Sequence, residues 1–386
     1  MRRLAIVLLA ACSSSALAEE NPGVTAAPIL QTAPSARAAG MGFTFTGVAS
    51  DISALYYNPS GLSRLDHSEA ALTYLKGLQD QTIEHLAFAV PLPVSGFIGN
   101  GYSTLGAGLI YAQNGSIEVN RTNPDGSFLD SRTLKAGNDL AATFSYSERA
   151  AETSIEGRGQ TVTVRQYVGV AGKYIRSTLA EQYSASAYAA DAGYFVESPE
   201  LGLGVGLALQ NFGTKMTFIS EGDPLPMTFR GGLSYLLPLD MLETPPSQAL
   251  LFAGDGDYLY DERQWHANVG LEYSAMRSYF LRLGYQIHRD LAGITFGFGL
   301  IWRGLSFDYA WAFNESFGDF HRFGVTWRFG KVPVRTREAP QRPFIENMPE
   351  RMEMEELEKK TPQSLDDNPR PRRVPSDSGA ASDWIY

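Results

Sequence analysis

From residue 67 onward, large apolar side chains return at every second position. In Phe320–Gly330, FHRFGVTWRFG, the residues Phe323, Val325, Trp327 and Phe329 alternate with Arg322, Gly324, Thr326 and Arg328. A period of two sends successive side chains to opposite faces of a strand. Leu305, Phe307, Tyr309, Trp311 and Phe313 repeat the pattern against Ser306, Asp308, Ala310 and Ala312. Segments of this kind predict fourteen strands, near 68–75, 84–91, 104–112, 139–147, 164–176, 184–195 and 201–212, then 227–236, 248–255, 264–274, 278–286, 292–302, 304–313 and 321–330. Most approach the roughly 9–11 residues of a tilted membrane strand.

The two faces decide between a membrane barrel and a soluble sandwich. The wetted face of a soluble antiparallel sheet is polar and rich in Lys, Glu and Thr. Here the second face is mostly Gly, Ala and Ser with a few charges, among them Arg282, Asp308 and Arg322. Rings gather near strand ends, as at Trp265, Tyr273, Tyr279, Tyr285, Trp302 and Trp327. Aromatic girdles around an apolar band mark an outer-membrane barrel with a polar interior. The pattern predicts an all-β, transmembrane antiparallel barrel of about fourteen strands, its ringed face toward lipid.

The remaining sequence sets the compartment. Arg2 and Arg3, the apolar run Leu4–Ala11 and Ala16-Leu17-Ala18 make residues 1–18 a secretory signal peptide, with lipidation at Cys12 after Leu9-Ala10-Ala11 as the competing reading. Cys12 is the one cysteine in 386 residues, so a mature chain cut after Ala18 has no disulfide or thiolate chemistry. A net charge of −10 argues against nucleic acid as a partner. The five histidines show no paired ligand spacing, so no metal or other cofactor is expected, and His266 and His321 are placed on the lumen side. There is no G-x-S-x-G elbow and no phosphate loop, which argues against an enzyme.

Fourteen strands enclose more space than inward side chains fill; about eight is the size at which they suffice. Residues 34–65, PSARAAGMGFTFTGVASDISALYYNPSGLSRL, supply a filling. They are too apolar for a solvated leader and, with Gly40, Gly42 and Gly47, too glycine-rich for a regular helix. Asp51 is placed to cap one short turn through Ala54 and Leu55, and Asn58-Pro59 stops it. Residues 19–66 are therefore expected to form a plug, 67–330 the barrel, and the proline-rich, charged residues 331–386 a largely disordered periplasmic tail that serves as linker or docks a periplasmic partner.

Ala36-Arg37-Ala38-Ala39-Gly40-Met41-Gly42, Val48-Ala49-Ser50-Asp51 and Tyr57-Asn58-Pro59-Ser60-Gly61-Leu62 resemble the FadL-like outer-membrane proteins, most closely their PorV/PorQ branch. The likeness continues through Leu209–Gly213, Gly222–Pro226, Leu281–Tyr285 and Phe307–Trp311. It implies a plugged fourteen-stranded barrel in the cell outer membrane that carries fatty acids or other hydrophobic molecules. The PorV-type alternative is a component of type IX protein secretion that binds a secreted protein. Gly40, Gly42, Asp51, Tyr57, Asn58, Pro59 and Gly61 are the gate candidates. Arg230, Glu272, Arg282, Asp308 and Arg322 are the polar lumen candidates, as ion pairs within the barrel or ligand contacts. The long polar stretch Gln113–Asp139 is expected to be an exposed loop.

Overall fold

The computed structural model describes residues 22–77, 80–99, 101–157, 160–239, 248–288, 293–313 and 318–331. The expected signal segment and the expected tail beyond Lys331 lie outside the described residues.

Alternating segments pair with their chain neighbours into one closed antiparallel barrel of fourteen strands. The first seven are β1 (His67–Lys76), β2 (Gln81–Ser95), β3 (Tyr102–Asn114), β4 (Gly137–Gly157), β5 (Gln160–Leu179), β6 (Tyr183–Ser198) and β7 (Leu203–Gly213). The others are β8 (Thr228–Pro238), β9 (Gln248–Leu259), β10 (Gln264–Ala275), β11 (Tyr279–Ile287), β12 (Ile294–Trp302), β13 (Leu305–Ala312) and β14 (Phe320–Lys331). Pairing of β1 with β14, Leu72 opposite Val325, closes the ring. Closure leaves no open sheet edge, the condition for a sheet to cross hydrocarbon.

The barrel is apolar outside and polar inside. Along β11, Tyr279, Leu281, Leu283, Tyr285 and Ile287 are exposed, whereas Phe280, Arg282, Gly284 and Gln286 are buried. Phe323, Val325 and Trp327 are likewise exposed. Such a belt exposed to water would cost about 25 cal/mol per Å²; in a bilayer that penalty disappears. The barrel spans a membrane.

With an even number of strands, His67 and Lys331 stand at the same rim. The longest described connections, residues 115–136 and 214–227, lie at the opposite rim, as short periplasmic turns and long outer loops require. Gln113–Asp139 is not irregular: Ser116–Thr122 and Phe128–Lys135 form an exposed hairpin. Its turn is built locally, with Asp125 Oδ1 accepting from Ser127 N at 2.9 Å. At the rim of the termini, β4 and β5 outrun the expected strands. Pairing of β3 with β4 stops at Ser103 and Glu148, and that of β5 with β6 at Arg165 and Glu197. The hairpin beyond them carries Thr, Ser and Glu in place of rings, so the lipid-facing signature ends before the strands do. Strand β7 starts at Leu203 because Pro199–Leu201 form a 3-10 turn, closed by Gly202 at φ 64°.

Candidate functional site

Residues 22–66 run inside the barrel, and most of them are buried. Two short helices organise them. Ser35 opens α1 (Ala36–Gly40), its Oγ accepting from Ala38 N at 3.2 Å. This turn was not expected, because Gly40 and Gly42 argue against helix; Gly40 in fact ends it. Asp51 Oδ1 accepts from Ser53 N at 2.8 Å just ahead of α2 (Ala54–Tyr57), whose N-cap is Ser53 and not the expected Asp51. Asn58 is extended, at φ −158° and ψ 99°, as the residue before Pro59 must be. Its Oδ1 accepts from Ser60 Oγ at 2.6 Å and Ser60 N at 3.3 Å. Its Nδ2 donates across to Tyr194 O of β6 at 3.2 Å. Asn58 thus shapes the turn and ties it to the wall.

The glycines on the inner strand faces read as the lining of a wet lumen. The structure gives them another role: they let the backbone of the N-terminal segment lie flush on the wall. A Cβ built on Gly284 would stand 1.9 Å from Gly42 N, and one on Gly206 1.9 Å from Thr46 O. Gly40 faces Gly297 so closely that a Cβ on it would come within 2.8 Å of the Gly297 Cα. Gly61 packs inside the segment, where a Cβ would meet that of Ala49 at 2.5 Å.

At least four polar attachments hold the segment against β9–β14, one of them from Arg322 Nε of β14 to Ala33 O at 3.3 Å. Arg37 donates to Glu272 of β10 through Nε at 3.0 Å and Nη2 at 2.8 Å, and to Asp51 through Nη1 at 2.8 Å. Glu272 also accepts from Arg282 of β11 at 2.6 Å, and Arg282 donates to Asp308 of β13 at 2.7 Å. The result is a buried chain of alternating sign, Asp51–Arg37–Glu272–Arg282–Asp308. Burial alone would raise the Asp51 carboxyl, but the Arg37 charge outweighs it and holds the group below the usual carboxylate range. In a further attachment, Asp255 Oδ2 of β9 accepts from Phe45 N at 2.8 Å and Thr46 N at 2.7 Å. In another, Thr295 of β12 accepts from Gly42 N at 2.9 Å and donates to Gly40 O at 3.3 Å.

Between these attachments sits an aromatic cluster. Tyr57, wholly buried, meets Phe45 at 5.5 Å and Tyr56 at 5.0 Å between ring centroids. The Arg230 guanidinium stands 5.4 Å from the Tyr57 centroid, and that of Arg322 4.8 Å from the Phe43 centroid. These inward cations therefore face rings of the segment. Among the described residues, small cavities touching Tyr56 and His85 include one of about 30 Å³ against β1, β2, β13 and β14 and one of about 20 Å³ against β2–β5. Each is about the size one water needs and excludes a hydrocarbon.

Arg230, Glu272, Arg282, Asp308 and Arg322 all point inward. His321 does not: it lies on the outer face with Phe323, its Nδ1 2.8 Å from Tyr309 Oη. Its odd position on β14, opposite in parity to Arg322, already assigns that face. Arg37, Asp255 and Thr295 escaped the sequence reading as site residues. A lone arginine in the small, apolar run Ser35–Gly40 was the one available signal, because a buried guanidinium needs a carboxylate. Among the described residues, no group of three or more His, Cys, Asp or Glu is placed to hold a metal ion.

No family model and no curated protein matches the chain. Solved structures do. The Ralstonia pickettii toluene transporter TbuX is 12% identical at a TM-score of 0.47, with 78% of this chain and 98% of that one covered. A Pseudomonas aeruginosa FadL homologue is 11% identical at a TM-score of 0.41, covering 76% and 98%. A deletion mutant of the TodX monoaromatic hydrocarbon channel is 12% identical at 0.43, covering 76% and 98%. At these values the likeness is one of barrel outline and carries nothing about cargo.

Proposed function

We propose that this chain is an outer-membrane conduit for small hydrophobic molecules, with residues 22–66 as its movable plug. The observation that carries the proposal is the aromatic cluster of Phe43, Phe45, Tyr56 and Tyr57 buried inside the barrel, where an open porin has water. A hydrocarbon crossing a wet lumen exposes its surface at about 25 cal/mol per Å²; apolar rings along the path remove that penalty. The buried rings and backbone of residues 22–66 stand in the path, and cargo passes when this segment shifts. Asn58 and Pro59 set the turn about which it bends, Gly40 and Gly42 give it a surface without side chains to slide or lift from, and Gly61 lets the segment fold closely on itself at Ala49.

The inward charges serve the plug as structural ion pairs, and catalysis has no place in this reading. The finer resemblance, to the PorV/PorQ branch, rests on the motifs at 36–42, 48–51 and 57–62 and would make a secreted protein the partner instead. Purification of the native protein in mild detergent, followed by mass spectrometry of what it carries, separates the two. Bound acyl chains or aromatic hydrocarbons support the conduit; a stoichiometric exported protein with no bound lipid-like molecule replaces it with the secretion role.

A further inference from the structure

At the rim that carries the termini, the turn after β2 presents two apolar side chains outward. Phe97 is 92% exposed and Ile98 75%. Neither lies in the plug or on a barrel strand, and the conduit needs neither. The turn is nonetheless firmly held. Glu148 of β4, fully buried, accepts from Phe97 N at 2.5 Å and from Ile98 N at 2.6 Å and Gly99 N at 3.0 Å. The same carboxylate accepts from Tyr146 Oη at 2.6 Å. Gly96 N donates to Gly101 O at 3.0 Å and closes the turn. One carboxylate thus spends its acceptors on fixing a turn whose tip is apolar.

The position of that tip follows from strand parity. Tyr146 lies two residues beyond Phe144, a lipid-facing ring 59% exposed, so both belong to the outer face of β4. The Phe97 ring packs on Tyr146 with centroids 5.4 Å apart. The turn therefore folds outward and continues the barrel's lipid-facing surface at its edge, where amphipathic rings settle at headgroup level. Backbone amides cannot enter hydrocarbon unsatisfied, and Glu148 removes three of them from the account. What remains facing outward is a phenyl ring and a branched alkyl group.

We propose that Phe97 and Ile98 form an interfacial anchor, inserted at the glycerol and upper acyl level of the leaflet nearer the chain termini, with Glu148 as its positioning residue. The partner is phospholipid. The anchor fixes the height of the barrel beside the free-standing end of the β4–β5 hairpin.

With Cys12 replaced by serine the chain has no other cysteine, so single labels are unambiguous. Nitroxides at Phe97→Cys and, separately, Ile98→Cys are compared in phosphatidylethanolamine–phosphatidylglycerol vesicles with labels at Phe144→Cys, in the belt, and Phe128→Cys, on the outer hairpin. The readout is the ratio of accessibility to oxygen over accessibility to a water-soluble nickel chelate. The ratio at 97 and 98 is expected several-fold above that at 128 and below that at 144. Adding Glu148→Ala should return it to the aqueous level while the barrel keeps its heat-modifiable migration. A ratio at both sites equal to that at 128 overturns the anchor, as does low access to both reagents, which means protein covers the turn. Unchanged depth in the Glu148→Ala background overturns the role given to Glu148.

Discussion

Arg37 and Glu272 meet through two hydrogen bonds of 3.0 and 2.8 Å, although 235 positions separate them in the chain. The arginine belongs to the segment inside the barrel and the glutamate to its wall. Both are buried, so neither charge has water to fall back on. Removal of one member of such a pair costs about 3–5 kcal/mol. Arg37→Ala should weaken seating of the segment by that order and leave Asp51 without its partner. Glu272→Gln should cost less, since Arg282 retains Asp308. Limited proteolysis from the N-terminal side, run on folded barrel, reads the difference: Arg37→Ala is cut fastest, wild type slowest.

Gly284 and Gly172 separate two uses of glycine in a strand. A Cβ on Gly284 would collide with Gly42 N, whereas one on Gly172 meets nothing within 4 Å. Valine favours strands over glycine, so propensity alone predicts that both substitutions help. The geometry predicts otherwise. Gly172→Val should be neutral or mildly stabilising, and Gly284→Val should leave a heat-modifiable barrel whose N-terminal segment is protease-sensitive. Equal behaviour of the two variants would show that the segment does not lie against β11.

Val325 tests the assignment of faces. It stands mid-strand on β14, opposite Leu72 of β1 and Phe307 of β13, and points outward. Val325→Arg should cost about 2–4 kcal/mol, and Glu84→Arg, on the same outer face but beside Tyr74 and Tyr111 near the rim, about 0–1 kcal/mol. Urea unfolding in lipid vesicles measures both. Similar losses at the two sites would contradict the membrane depth given to β14.

Asn58 and Pro59 carry the bend proposed for the plug. Asn58→Ala removes the bonds to Ser60 and to Tyr194 O, each worth about 0.5–1.5 kcal/mol. The double variant with Pro59→Ala should keep its heat-modifiable migration and retain less bound hydrophobic molecule. Wild-type retention would reduce this turn to packing.

The strands were legible because a lipid-facing strand writes its period in rings, and every one of the fourteen expected segments falls on a barrel strand. Their ends were not. Past Glu148 and Val168 the outer face of β4 and β5 carries Thr153, Ile155, Val162 and Val164 in place of rings, and hydrogen bonding continues after the aromatic signal has stopped. The site was legible in composition and illegible in pairing. The glycine-rich segment and the inward arginines stand out in the sequence, but nothing local says that Arg37 meets Glu272 or that Asp255 receives the amides of Phe45 and Thr46. Those contacts join residues more than two hundred positions apart, through a closure that fixes which inward positions share a level.

In the proposed mechanism the barrel is closed to water and opens to hydrophobic cargo by movement of its N-terminal segment. Uptake of labelled oleate, toluene and the sugar raffinose, in cells lacking their own porins and hydrocarbon transporters but with intact lipopolysaccharide, tests it most directly. Wild type should admit at least one of the hydrophobic compounds above the empty-cell level and exclude raffinose, whereas Arg37→Ala combined with Asp255→Ala, which loosens two attachments of the segment, should admit the sugar. Entry of raffinose through the wild type, or no gain for either hydrophobic compound, would contradict the account.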